Sequence, residues 1–186
     1  MFRQRAATVA LLLSLPLAGL ANPEERLVRE YTRFAGSEAN AESLVNGLRN
    51  DEQIRLSADG RTTTFTPPTR KLGHGNVDIA LSLAKASLAE NGVRDPTPEQ
   101  IRAALNGGTI TTRSGERVVL PGVLELRASG LGWGRIAQEH GFKLGEVMRH
   151  ERHHGRADFH RARLERPERP HKPERPERPE RHHHRR

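Results

Sequence analysis

Thr97-Pro98-Glu99-Gln100 opens the stretch that decides the fold, which continues Ile101-Arg102-Ala103-Ala104-Leu105-Asn106-Gly107-Gly108. Thr97 carries the side-chain oxygen of a helix N-cap. Pro98 suits the first helical position, where its missing N–H would have had no partner, and Gln100 stands where a capping-box side chain reaches back. Ile101, Ala104 and Leu105 fall on one face at helical spacing, so the helix has an apolar side to bury. Gly107-Gly108 ends it. Residues 109–112 and 117–120 then read as two short strands about Ser114-Gly115, stopped by Pro121-Gly122, which predicts a hairpin.

The same order occurs once more upstream. Ser37 is a cap for a helix whose Leu44, Val45 and Leu48 share a face, and Asp59-Gly60 supplies the turn between strands at 53–56 and 62–66. Setting Glu42-Ser43-Leu44 over Glu99-Gln100-Ile101 also brings Leu48 over Leu105, and one gap brings Ile54 over Ile110. The spacing predicts an internal repeat over 41–68 and 98–122; chance likeness of two common units is the open alternative. A lone two-stranded hairpin is marginal in water, so the two are expected to join in one antiparallel sheet covered by helices. Further helices are expected at 24–34, closed by Gly36, and at 76–90, with Val77, Leu81, Ala84 and Leu88 inward. The fold class is therefore α+β: a small helix-rich domain over 22–150.

Both ends differ from this middle. Arg3 and Arg5 precede an apolar run to Leu20 broken by Pro16, with Gly19 and Ala21 as small residues before a cleavage point, so 1–21 reads as a secretory signal. The run is too short and interrupted for the ~20 residues of a spanning helix. With no cysteine, the domain must hold by its core, and the expected location is periplasmic or secreted. At the other end, Glu-Arg-Pro recurs in triplets over 165–181, a pattern that forbids an α-helix and favours extended polyproline II, so 151–186 reads as a disordered tail. Charge divides in the same way. Of the net +8, roughly +2 lies in 1–21, +1 in 22–150 and +5 in 151–186. The high pI therefore belongs to the tail and is no argument for a nucleic-acid-binding domain.

Residues 123–150 contain a pattern of their own. Ala137, Gly141 four residues on and Val147 ten residues on resemble a helix-turn-helix over 133–150, in which Lys143, Glu146 and Arg149 would face a duplex. Gly145 weakens the second helix, Glu146 would face phosphates, and an exported chain does not meet chromosomal DNA. The block from Arg127-Ala128-Ser129-Gly130-Leu131-Gly132-Trp133-Gly134 through Ile136-Ala137 to Lys143-Leu144-Gly145, with Phe34-Ala35-Gly36-Ser37-Glu38 and Gly75-Asn76-Val77, resembles exported proteins of beta-proteobacteria. That resemblance implies export and a shared fold, and carries no activity or site residues. Trp133 is expected to pack a helix junction rather than to serve as a ligand platform.

His150-Glu151-Arg152-His153-His154 fits H-E-x-x-H, the zinc-protease string in which two imidazoles one helical turn apart hold the metal and the glutamate activates water. His160 stands at the third-ligand spacing. In so His- and Glu-rich a segment the string is expected by chance on the order of 0.3 times, and only a proline repeat follows where a cleft-closing segment is needed. The candidate metal ligands are thus His150, His153, His154 and His160, for adventitious Zn²⁺, Ni²⁺ or Cu²⁺ with no cofactor required. Arg152, Arg156, Arg161, Arg163, Arg185 and Arg186 are the candidate anion contacts, toward an envelope polymer or lipid headgroups. No catalytic residue is assigned. The chain reads as a non-enzymatic exported interaction module; the alternatives are a zinc-dependent hydrolase at 150–154 and helix-turn-helix DNA binding at 133–150.

Overall fold

The structure is a computed structural model, and it describes residues 22–149. The expected signal segment and tail, with every candidate metal and anion ligand named above, lie outside those residues. The described chain is α+β and helix-rich: α1 (Pro23–Ala35), α2 (Glu38–Asn50), β1 (Ile54–Ala58), β2 (Arg61–Phe65), α3 (His74–Glu90), α4 (Pro98–Asn106), β3 (Gly108–Thr111), β4 (Arg117–Leu120), α5 (Val123–Ala128) and α6 (Trp133–Glu139). Residues 144–149 are helical as well.

Local chemistry sets most of these boundaries. The Asn22 side chain accepts from the Glu24 N–H, and Pro23 fills a first-turn position where no N–H is needed. Gly36 adopts φ 82 and sends its N–H to Arg33 O, a left-handed ending that a Cβ would strain. Ser37 then caps α2 through Asn40 N–H, so two helices follow one another across a two-residue break. Asp59 and Gly60 both have positive φ, 50° and 72°, giving the primed two-residue turn whose twist suits antiparallel strands. Both halves of the capping box at Thr97 and Gln100 form.

The core is built around α3, which packs against α1, α2, α4 and α5. Its Val77, Ala80, Leu81, Leu83, Ala84 and Leu88 are buried, a spread too wide for a surface helix and right for a central one. It begins at His74, two residues before the expected start. Leu27 and Tyr31 from α1, Leu44 and Leu48 from α2, and Ile101 and Leu105 from α4 complete a single apolar cluster.

One expectation is corrected. The hairpins do not join: β1–β2 and β3–β4 are two separate two-stranded antiparallel sheets. The reason is α4, which packs against β1, β2 and β3. Polar side chains of α4 hold both hairpins. Asn106 Nδ2 donates to Thr66 O at 2.7 Å, the Thr63 hydroxyl donates to Glu99 Oε1 at 2.7 Å, and Gln100 Nε2 donates to Thr111 O at 3.0 Å. A hairpin needs a third strand or a helix to be stable, and here the helix serves both.

Candidate functional site

The C-terminal part of the described chain is fastened by one aromatic side chain. Trp133, at the start of α6, sends its indole N–H to Asn76 Oδ1 in α3 at 2.9 Å, and the Arg127 guanidinium lies 4.9 Å from its ring centroid. Arg127 in turn donates to Leu131 O at 2.9 Å. The ring is half-buried, with its polar edge bonded and a cation over it, which makes it a fastener between helices.

This contact joins two equivalent turns. Leu72-Gly73-His74-Gly75 opens α3 and Leu131-Gly132-Trp133-Gly134 opens α6. Gly73 and Gly132 are the N-caps, with φ/ψ of −69°/157° and −73°/150°. Each glycine carbonyl accepts from the third and fourth amides after it: Asn76 and Val77 in one case, Arg135 and Ile136 in the other. The recurrence of Leu-Gly-x-Gly is visible in the chain, and it marks the two helix starts that the Asn76–Trp133 contact joins.

Beyond α6 the geometry is helix-turn-helix-like. Ile136 and Ala137 are fully buried, Gly141 has φ 81, the Phe142 N–H donates to Ala137 O at 2.8 Å, and Val147 faces inward. Lys143, Glu146 and Arg149 are exposed, and Lys143 Nζ lies 3.4 Å from Glu146 Oε1. One cation of that face is therefore already paired. His140 closes α6 half-buried; burial pushes its imidazole pKa below the usual 6.5 against the opposing pull of Glu139, and Nε2 has no hydrogen-bond partner among the described residues.

Other chemistry-bearing side chains hold structure. The Tyr31 hydroxyl donates to the Asp78 carboxylate (2.7 Å) and is bonded to Ser82 Oγ (2.8 Å), fastening α1 to α3. Desolvation and the Asp78 charge drive the phenol pKa well up, which suits a fixed donor and not a base. Buried Asn40 clasps the first hairpin, donating to Ala35 O and Ser57 O and accepting from Ser57 N–H. These partners are far apart in sequence, and no local pattern announced them.

An open groove of about 260 Å³ lies where the α3–α4 loop meets β3 and the turn after it, lined among others by Gly92, Arg94, Asp95, Gln100 and Arg113. The sequence reading did not single it out. Among the described residues no group of three or more metal-capable side chains converges, and no helix is long and apolar enough to cross a membrane. No protein-family model matches the chain, and no curated protein or solved structure is significantly similar to it.

Proposed function

We propose that this protein is a non-enzymatic exported interaction module, whose folded domain holds a His- and Arg-rich tail out toward anionic surfaces and divalent metal. The observation that supports this is the Trp133 fastening: α6 is tied to α3 through Asn76, and residues 144–149, directly before the tail, follow α6 across the Gly141 turn. Six arginines, at 152, 156, 161, 163, 185 and 186, supply phosphate-seeking charge there. The histidines at 150, 153, 154 and 160 supply neutral imidazoles that lose metal as pH falls through about 6.5.

The test is cosedimentation of the full chain with phosphatidylglycerol vesicles across a salt series. Binding should weaken steeply as salt rises and should be lost when the six arginines become glutamine. Equal binding by that variant would refute the reading. A Glu151→Gln variant assayed on casein with zinc checks the hydrolase alternative: zinc-dependent cleavage abolished by this one change would replace the module with an enzyme.

A second reading, duplex recognition, rests on the helix-turn-helix-like geometry around Ala137, Gly141 and Val147. The Lys143–Glu146 pair counts against it, because the carboxylate offsets a cation on the face that would meet phosphate. A hundredfold preference for one duplex sequence, lost in Arg149→Ala, would establish it.

A further inference from the structure

The groove beside α4 is formed by two loops, and its lining is chemically uneven. Arg94 comes from the connection between α3 and α4, and Arg113 from the turn between β3 and β4. Both are exposed, and neither has an ion-pair or hydrogen-bond partner among the described residues. Arg29 on α1 and Arg135 on α6, by contrast, are paired along their own helices, with Glu25 and Glu139. Arg94 and Arg113 instead share a concavity.

The wall between them is fixed. Gln100 accepts from the Thr97 N–H and donates to Thr111 O, so its amide is held at both ends. The Thr112 hydroxyl is bonded to Ser114 and to the Glu116 N–H, which sets the loop that carries Arg113. Gly92 turns with φ 74, and nothing stands within 4 Å of where its Cβ would be, so the chain leaves that side of the groove open. Asp95 adds one carboxylate to the lining.

We propose that this groove binds a sugar phosphate. The two guanidinium groups offer several N–H donors to the oxygens of a phosphomonoester, and with Asp95 among the lining residues the groove still keeps a net positive charge that attracts it. The volume, about 260 Å³, sits just below the roughly 300–1,000 Å³ of pockets for drug-sized ligands and leaves room for one hydroxylated ring beside the phosphate. Asp95 repels an undecorated anion and accepts from a hydroxyl, so it favours a phosphate carried on a polyol. The site is distinct from the tail and stands whether or not the tail binds anything.

The test is a backbone-amide NMR titration of the full chain with glucose 6-phosphate, glucose, inorganic phosphate and vesicles bearing a phosphorylated glycolipid. Glucose 6-phosphate should shift the amides of residues 92–95 and 111–113, with inorganic phosphate weaker and glucose silent. Glycolipid vesicles that perturb the same amides would identify a lipid-borne source, and their failure beside a positive sugar phosphate would identify a soluble one. Arg94→Gln with Arg113→Gln should weaken binding by about tenfold or more, as expected for losing charged hydrogen bonds, while Arg29→Gln on α1 leaves it unchanged. Both arginines are exposed, so the double variant should keep its thermal midpoint. The proposal fails if glucose 6-phosphate leaves these amides unmoved, if glucose shifts them equally, or if the folded double variant binds as well as the parent.

Discussion

Two helix-and-hairpin units make up the middle of the molecule, α2–β1–β2 and α4–β3–β4, and they agree locally while differing in how deeply they are set. In each, a side chain of the helix reaches the strand residue after the buried isoleucine. Ser43 Oγ accepts from Arg55 N–H at 2.9 Å, and Gln100 Nε2 donates to Thr111 O at 3.0 Å. Ile54 and Ile110, the preceding residues, both face the core. The first hairpin also buries Leu56 completely and Phe65 nearly so, and Asn40 grips its backbone. The second buries Leu120 but leaves Val119 75% exposed, and its longer turn at 112–116 reaches the groove. The first unit is thus placed as framework, while the second has exposed surface to offer a partner. Equal local sequence signals did not produce equal burial, because α4 lies against both strands of the first hairpin but, in the second, mainly against β3.

The sharpest way to break that contrast is to hollow each hairpin. Leu56→Ala should cost about 2–5 kcal/mol, the usual range for a cavity left in a packed core. Val119→Ala should stay within about 0.5 kcal/mol. Denaturant unfolding of the full chain gives both values; similar losses would mean that the second hairpin is as integral as the first.

A smaller effect separates the polar clasps. Asn40→Ala strands Ala35 O in a buried setting and the Ser57 backbone groups in a part-buried one, for about 2 kcal/mol. Gln100→Ala frees groups that water can reach, for about 1 kcal/mol. Should Gln100→Ala prove the costlier, the capping box and its strand contact would be the main fastening of the middle region, and the ranking of the two units would reverse.

The smallest effect is in pH. Burial disfavours the charged form of His140 in the folded state, so the unfolded chain takes up the proton first; stability is full above pH about 6.5 and declines as pH falls through the lowered folded value. The hydrogen bond from Thr63 holds the Glu99 carboxyl below its usual 4.5, so that contribution is present above about pH 4.5 and is lost on further acidification. Glu99 is exposed, and solvent screening keeps its share slight. Thermal midpoints followed from pH 8 to pH 3 should show His140→Gln flattening only the upper window and Glu99→Gln only the lower. A single shared window would show that the tie between α4 and the first hairpin and the turn after α6 are coupled.

Local grammar was enough to place most elements. Thr97, Pro98 and Gln100 name a helix start because the groups that satisfy its free amides are three residues apart, and Asp59-Gly60 names a hairpin because few other pairs tolerate two positive φ values in succession. Ala137, Gly141 and Val147 likewise announced a helix-turn-helix-like end, since the close approach of two helices selects small and apolar residues at fixed intervals. The groove escaped notice for the opposite reason. Arg94 and Arg113 are each an ordinary exposed charge in the sequence, and only the folding of α4 between their loops sets them in one concavity.

What the sequence by itself determined, then, is the α+β class, the order of helices and hairpins and the caps and turns that bound them, all governed by interactions within a few residues. Whether two hairpins share a sheet, whether Trp133 meets Asn76 and how far Asn40 is buried were decided only by tertiary structure. Those outcomes turn on which apolar face α3 and α4 offer to which neighbour. That choice is made by the packing of the whole core at once, where many individually weak contacts compete and no single residue pair carries the answer.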